Sequence, residues 1–137
     1  MQFSICVMAN IDEIDFFTHA ENLGYAAVWV ADSQMLFSDC YAVLALAAAR
    51  TQRLRLGPGT AICGTRVPPV QVAAVATLNR LAPGRIHLGI GTGNTAMRAM
   101  GQKPSGMALW WPRRQRSTGI FTRTSITIRL YIRARRS

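Results

Sequence analysis

The sequence predicts an α/β fold with parallel strands, on three observations. Short apolar segments begin near residues 3, 27, 54 and 86, which leaves room for one helix between each pair. The stretches between them carry helix-start residues at one end and glycine, or proline and glycine, at the other. Ala26-Ala-Val-Trp-Val30 is continuously apolar, as a strand covered on both faces of a parallel sheet must be. Strands alternating with helices in this way run parallel, with right-handed crossovers. The rhythm alone does not separate an open doubly wound sheet from a barrel.

Each element has its own reason. Phe3-Ser-Ile-Cys-Val7 alternates with period two and reads as a strand. Asn10 and Asp12 can each cap a helix from about Ile11 to Leu23, and the acids Asp12, Glu13 and Asp15 suit its first turn. Gly24 stops that helix. Ser38-Asp39 opens a second helix, Cys40 to about Arg50, rich in alanine and leucine. Leu54-Arg-Leu-Gly57 begins a third strand, interrupted by Gly57-Pro-Gly59. Pro68-Pro69 occupies the first turn of a third helix, which runs to about Leu81 with Val72, Val75, Ala76 and Leu78 on its apolar side. Arg85-Ile-His-Leu-Gly-Ile90 is the fourth strand, and Gly91-Thr-Gly93-Asn-Thr95 leads into a short helical stretch to Met100. Ile126 to Arg133 alternates again and could add a strand.

The chain has 137 residues, half of them apolar and 16% charged, which suits one domain with a buried core. The small-apolar run Tyr41 to Ala49 is too short to span a bilayer. No basic segment followed by an apolar stretch opens the chain, so the expectation is a soluble, cytoplasmic protein with no membrane partner. The net charge of +10 points at first to nucleic acid, but its distribution argues against it. All six acids lie in the first 39 residues, and residues 1–106 come to only +2. Residues 107–137 hold eight arginines and no acid. A near-neutral domain over 1–106 is therefore joined to a basic tail over 107–137. Because the tail reads like an out-of-frame translation of GC-rich DNA, it is expected to be frameshifted or disordered. Trp110, Trp111, Phe121 and Tyr131 could stack on bases, which keeps anion or nucleic-acid binding as an alternative.

Cys6, Cys40 and Cys63 are odd in number and never form a C-x-x-C pair, so buried reduced thiols are expected, not a disulfide scaffold or a metal site. His19 and His87 are not spaced as metal ligands with any carboxylate.

In parallel α/β folds, ligands gather at the carboxyl ends of the strands. Asp32 is the one acid at such an end; it could hold a ring substituent, accept a proton, or cap the following helix. Gly91-Thr-Gly93-Asn94 could present N–H groups to a phosphate or could be a tight strand-to-helix turn. It does not fit G-x-G-x-x-G, because position 96 is alanine.

Several ordered stretches resemble the bacterial luciferase-like superfamily. They are Ala20-Glu-Asn-Leu-Gly-Tyr-Ala-Ala-Val-Trp-Val-Ala-Asp32, Leu54-Arg-Leu-Gly-Pro-Gly-Thr60, Thr65-Arg66, Ala76-Thr-Leu78, Leu81-Ala-Pro-Gly-Arg-Ile-His-Leu-Gly-Ile-Gly-Thr-Gly93 and Met97-Arg-Ala-Met-Gly101-Gln-Lys-Pro104. Within that superfamily the sequence resembles the branch of methylene-tetrahydromethanopterin reductase, which uses the deazaflavin coenzyme F420, alongside FMN-dependent monooxygenases.

The resemblance implies a TIM barrel that holds F420 or FMN at the top of its strands and acts as an oxidoreductase on a small-molecule substrate. Asp32 matches the family's strand-two acid beside cofactor and substrate. Gly59 and Thr60 match the strand-three bulge, where the family carries a non-prolyl cis peptide that backs the ring. Thr92, Gly93 and Asn94 match the strand-four segment that hydrogen-bonds the cofactor. The chemistry implied is hydride transfer, or oxygen activation with reduced FMN, for which the protein supplies position and electrostatics.

Two departures stand out. Many deazaflavin members carry a histidine directly after the strand-two acid, and here it is Ser33. A complete barrel needs eight βα units and about 250 residues, so the expected fold is the N-terminal half of a (β/α)8 barrel, four parallel strands with helices, followed by the non-family tail. Half a barrel leaves open strand edges and an uncovered inner face, which suggests self-association into a homo-oligomer or a non-functional fragment.

Overall fold

The computed structural model describes residues 1–104 and, as backbone, residues 127–130. The remainder of the basic tail, with Trp110, Trp111, Phe121 and Tyr131, lies outside the described residues.

The elements in order are β1 (Ser4–Val7), a 3-10 turn (Ile11–Glu13), α1 (Asp15–Asn22), β2 (Ala27–Val30), α2 (Cys40–Arg50), β3 (Arg55–Pro58), β4 (Ala61–Ile62), α3 (Pro68–Leu81), β5 (His87–Gly91), α4 (Asn94–Ala99) and β6 (Thr127–Leu130). Every pairing is parallel, and β1-β2-β3 and β4-β5-β6 form two three-stranded sheets. They meet at a parallel bridge between Leu56 and Ile86, where Leu56 N–H donates to the Arg85 carbonyl at 2.9 Å. Neighbouring strands follow chain order, whereas a doubly wound sheet reverses that order at a switch point.

The expected third strand is two strands. Gly59 N–H still donates to the Val30 carbonyl at 2.8 Å, but beyond it the chain turns to β5, with Ala61 opposite Ile90 and Cys63 N–H on the Gly91 carbonyl at 3.0 Å. The break falls at Gly57-Pro-Gly59, where Pro58 has no N–H to donate and the Gly59–Thr60 peptide is cis. β6 is a further parallel strand, set within the alternating Ile126–Arg133 segment and paired with β5.

The first helix is also divided. Asn10 Oδ1 accepts from Asp12 N–H at 3.1 Å and closes a tight turn, after which Ile14 points into the core and α1 begins at Asp15. Asp39 caps α2 as expected, its Oδ1 accepting from the N–H groups of Tyr41 and Ala42 at 2.9 and 3.0 Å. Cys40, Val43, Leu44, Ala47 and Ala48 are buried at the spacing of one helix face. In α3 the buried stripe is Gln71, Val75, Leu78 and Asn79, with Val72 and Ala76 only partly buried beside it.

The helices pack in chain order, α1 on α2 and α2 on α3, and the core lies between them and the sheet. Val28, Val30, Leu44, Leu56, Leu88 and Ile90 are each at most 2% exposed there. Alternation turns Cys6 and Trp29 to the opposite face, so Cys6 is exposed, contrary to expectation, while Cys40 and Cys63 are buried. No helix among the described residues is long and apolar enough to cross a membrane.

Candidate functional site

Because all strands run parallel, the loops after β1, β2, β4 and β5 emerge at one end of the sheet. Asp32 lies there, two residues beyond β2 and 4% exposed. Its Oδ2 accepts from Ile62 N–H at 3.2 Å and from Arg66 Nη1 at 3.1 Å. Its Oδ1 accepts from Arg66 Nη1 at 3.2 Å and from Gln34 Nε2 at 2.5 Å. A carboxylate has about four lone-pair positions, and here each oxygen has two donors. Asp32 is not a helix cap; that work falls to Asp39.

Arg66 joins the loops. Its Nη2 donates to Asp39 Oδ2 at 2.8 Å while Nη1 serves Asp32, and its guanidinium lies 4.5 Å above the Tyr41 ring centroid. Burial works to lower the Arg66 pKa, but the charge and hydrogen bonding of Asp32, with Tyr41 and Asp39, together outweigh it and hold the group above its ordinary value. The Tyr41 hydroxyl accepts a hydrogen bond from the amide of Gln71, which is 1% exposed. Burial, and then the nearby charge of Asp32, pushes the Tyr41 phenol and the Cys40 thiol far upward, so both are neutral at ordinary pH.

Gly59–Thr60 lies on the adjoining strand end and is partly exposed. Gly59 O accepts from Cys6 Sγ at 3.8 Å, and a Cβ on Gly59 would stand 2.6 Å from Trp29 Cβ. Trp29 in turn meets His87 edge-on, with ring centroids 6.3 Å apart. Thr60 packs against the next strand, because a Cβ on Gly91 would come within 2.6 Å of Thr60 Oγ1. Asp32, Gly59–Thr60 and Gly91 are thus gathered on consecutive strand ends.

Thr92 and Asn94 are exposed, and Asn94 Oδ1 accepts from Arg98 Nε of its own helix at 2.9 Å. Gly93 precedes α4 with φ of +68°, and a Cβ on it would stand 2.3 Å from Ile62 Cγ2. The side chain of Ile62 thus accounts for a glycine at 93 without any ligand, so the turn reading of this segment is sufficient. Motif reading met Gln34 only as the last residue of the strand-two end Asp32-Ser33-Gln34, Asp39 only as the start of a helix and Arg66 only as part of a family stretch, and it passed over Tyr41 and Gln71. One signal was available: Arg66 is the single base between Arg55 and Arg80, and it follows a strand end opposite the single strand-end acid.

A family model described as luciferase-like monooxygenase matches residues 8–115. Over 102 residues, 73% of this chain and 29% of the relative, the sequence is 33% identical to a 5,10-methylenetetrahydromethanopterin reductase of Methanopyrus kandleri. It is 41% identical over 87 residues to an F420-dependent glucose-6-phosphate dehydrogenase of Kineococcus radiotolerans, covering 58% of this chain and 26% of the relative. The solved structure of the coenzyme F420-dependent tetrahydromethanopterin reductase from Methanopyrus kandleri superposes with a TM-score of 0.66 at 30% identity, over 73% of this chain and 30% of the other. The oxygenating constituent of 3,6-diketocamphane monooxygenase from Pseudomonas putida, in complex with FMN, shares the fold at 18% identity, with a TM-score of 0.65, 78% of this chain and 34% of the other. The chain spans under a third of the length of the two curated relatives.

Proposed function

The chain belongs to the luciferase-like monooxygenase family, and from that premise we propose that it supplies the N-terminal half of a (β/α)8 barrel and the first part of an oxidoreductase site. The observation that carries the reading is Asp32, buried at a strand end, held by Arg66 and by Ile62 N–H, beside the partly exposed Gly59–Thr60 backbone. The curated relatives at 30% identity or more include F420-dependent enzymes, which favours the deazaflavin over FMN.

The residues fit a flat, hydrogen-bonding ring. The Gly59–Thr60 backbone is partly exposed at its strand end, and the exposed Thr92 hydroxyl and Asn94 amide offer donors on a neighbouring strand end. In this reading Gly59 and Thr60 back the ring, Thr92, Gly93 and Asn94 hydrogen-bond it, and Asp32 orients the substrate beside it. Bound F420 would supply hydride transfer, and bound FMN hydride transfer or oxygen activation. Ser33 would donate a hydrogen bond where a histidine would exchange a proton. Among the described residues β1 pairs on one side only, with β2, which makes a second copy of the chain the first candidate for a protein partner.

Titration of the purified 137-residue chain with F420 and with FMN, followed by cofactor fluorescence anisotropy, tests this. The expected result is saturable binding of F420, weakened about fivefold in Asn94→Ala, the loss of one hydrogen bond to the ring. Failure of both cofactors to bind at high micromolar concentration overturns the cofactor reading, though not the family membership.

A further inference from the structure

Between Asp32 and the cap of α2 runs a five-residue turn, Ser33 to Phe37, closed by hydrogen bonds from Leu36 N–H and Phe37 N–H to the Ser33 carbonyl at 3.3 and 3.2 Å. It is fixed at both ends. Asp32 is held as described, and Ser38 N–H donates to the Ala9 carbonyl at 3.0 Å while its hydroxyl accepts from Ile11 N–H at 3.2 Å. Three independent features within the turn are unsettled. Met35 has φ of +64°, the left-handed region that a residue with a long side chain seldom occupies. Met35, Leu36 and Phe37 are 81%, 52% and 36% exposed, three adjacent apolar side chains on one short loop. The Gln34 carbonyl oxygen is buried and has no hydrogen-bond partner among the described residues.

The Gln34 amide cannot be reversed to cure this, because the Asp32 carboxylate accepts only and must face the NH2. Of the four hydrogen bonds on Asp32, two come from Arg66, which Asp39 and the Tyr41 ring hold in place, and one from the backbone of β4. The fourth, from Gln34, is delivered by the unsettled turn itself.

We propose that Gln34 is a displaceable stand-in for a ligand. A small molecule with a hydroxyl or N–H group beside an apolar body takes the place of Gln34 on Asp32 Oδ1. The released turn then repacks, with Met35, Leu36 and Phe37 covering the apolar body of the ligand. The substrate class is thus an apolar alcohol or amine. This rests on the reading of Asp32 as a ligand-facing residue, but it requires no bound coenzyme.

The test uses the purified chain without coenzyme and three probes: cyclohexanol, its non-donating analogue methoxycyclohexane, and glycerol, which donates but has no apolar body. The readouts are the NMR signals of the Gln34 side-chain amide and the Met35 methyl group. Cyclohexanol is expected to shift both signals saturably, and the ether and glycerol to leave the Gln34 signal in place. Gln34→Ala, which removes the competing donor, is expected to tighten cyclohexanol binding about threefold to tenfold, the worth of one ordinary hydrogen bond. Met35→Gly keeps the backbone path without the strained residue and serves if Gln34→Ala fails to fold. It is expected to leave the Gln34 response intact and to weaken cyclohexanol binding through loss of the methyl contact. Equal responses to alcohol and ether, no response to any probe, or unchanged or weaker binding in a folded Gln34→Ala overturns the proposal. Failure of F420 to bind overturns the cofactor reading alone, and cyclohexanol titration distinguishes the two.

Discussion

The two ends of the sheet each carry a buried acid and an arginine, and they are built differently. At the amino end, Glu21 accepts from the backbone N–H groups of Gln52, Arg53 and Leu54 at 2.6 to 3.1 Å. Arg85 donates there to the carbonyls of Ala48, Thr51 and Leu54 and to the Thr51 hydroxyl at 2.9 to 3.0 Å. Nearly every partner is main chain of the α2–β3 connection. At the carboxyl end, Asp32 and Arg66 engage mainly side chains, those of Gln34, Asp39 and Tyr41. A backbone partner leaves only if the segment unfolds, whereas a side chain can rotate away. The first arrangement fastens the fold, and the second contains the Gln34 contact that the proposed ligand exchange requires. This division matches the general split between a stabilising and a ligand-facing end of parallel barrels.

Substitutions at the two ends sharpen or break that contrast. Glu21→Ala leaves three backbone N–H groups without their acceptor and should cost about 3 kcal/mol of unfolding free energy. Gln34→Ala removes one side-chain donor from Asp32, leaves its contacts with Arg66 and Ile62 N–H, and should cost only about 1 kcal/mol. Urea unfolding of both variants is the measurement, and equal losses would abolish the distinction.

Two glycines extend the comparison. Gly93→Ala at the carboxyl end meets Ile62 at 2.3 Å as well as a positive φ, and should lose about 2 kcal/mol. Gly24→Ala, at φ of +83° with open space around its Cβ, should lose about 1 kcal/mol. Thermal unfolding that ranks them the other way would place the tighter packing at the amino end.

The smallest effect is in pH. Burial raises the Glu21 pKa, but the hydrogen bonds from Arg53, Leu54 and Gln52 together outweigh it, and the carboxyl sits below its ordinary value of 4.5. A value lowered in the folded state means stability that is complete above the unfolded value and is lost as pH falls through the folded one. Urea midpoints should therefore drop below about pH 4.5, and more shallowly in Glu21→Gln.

The helices were legible because their signals are local: Asp39 caps α2 and Pro68-Pro69 opens α3 where the residues alone place them. The strand order was legible only as a rhythm, since pairing is a property of distant segments. The split of β3 from β4 was visible as Gly57-Pro-Gly59, but which neighbour each half would choose was not. Within the site, Asp32 stood out as the one strand-end acid. Its partner Arg66 lies 34 residues away, and the Tyr41 and Gln71 support lies on two different helices, so no periodicity within one element reports them. Gln34 stood at the strand-two end Asp32-Ser33-Gln34, but a polar residue in a turn is ordinary until its buried oxygen is seen to lack a partner among the described residues.

The single bridge between Leu56 and Ile86 has a consequence for how the molecule opens. β1-β2-β3 shares continuous ladders, as does β4-β5-β6; among the described residues the two groups are joined by that short seam, by packing of β3 on β5, by the helices, and by the contacts of Asp32 with Ile62 and Arg66. Main-chain pairing across the middle of the sheet is therefore thinner than within either group, and opening there is resisted chiefly by packing and by side chains. Asp32 extends from one group, while Ile62 and Arg66 extend from the other. The ion pair between them is a stitch across the line of opening, so the same contacts that shape the site also register whether the sheet is whole.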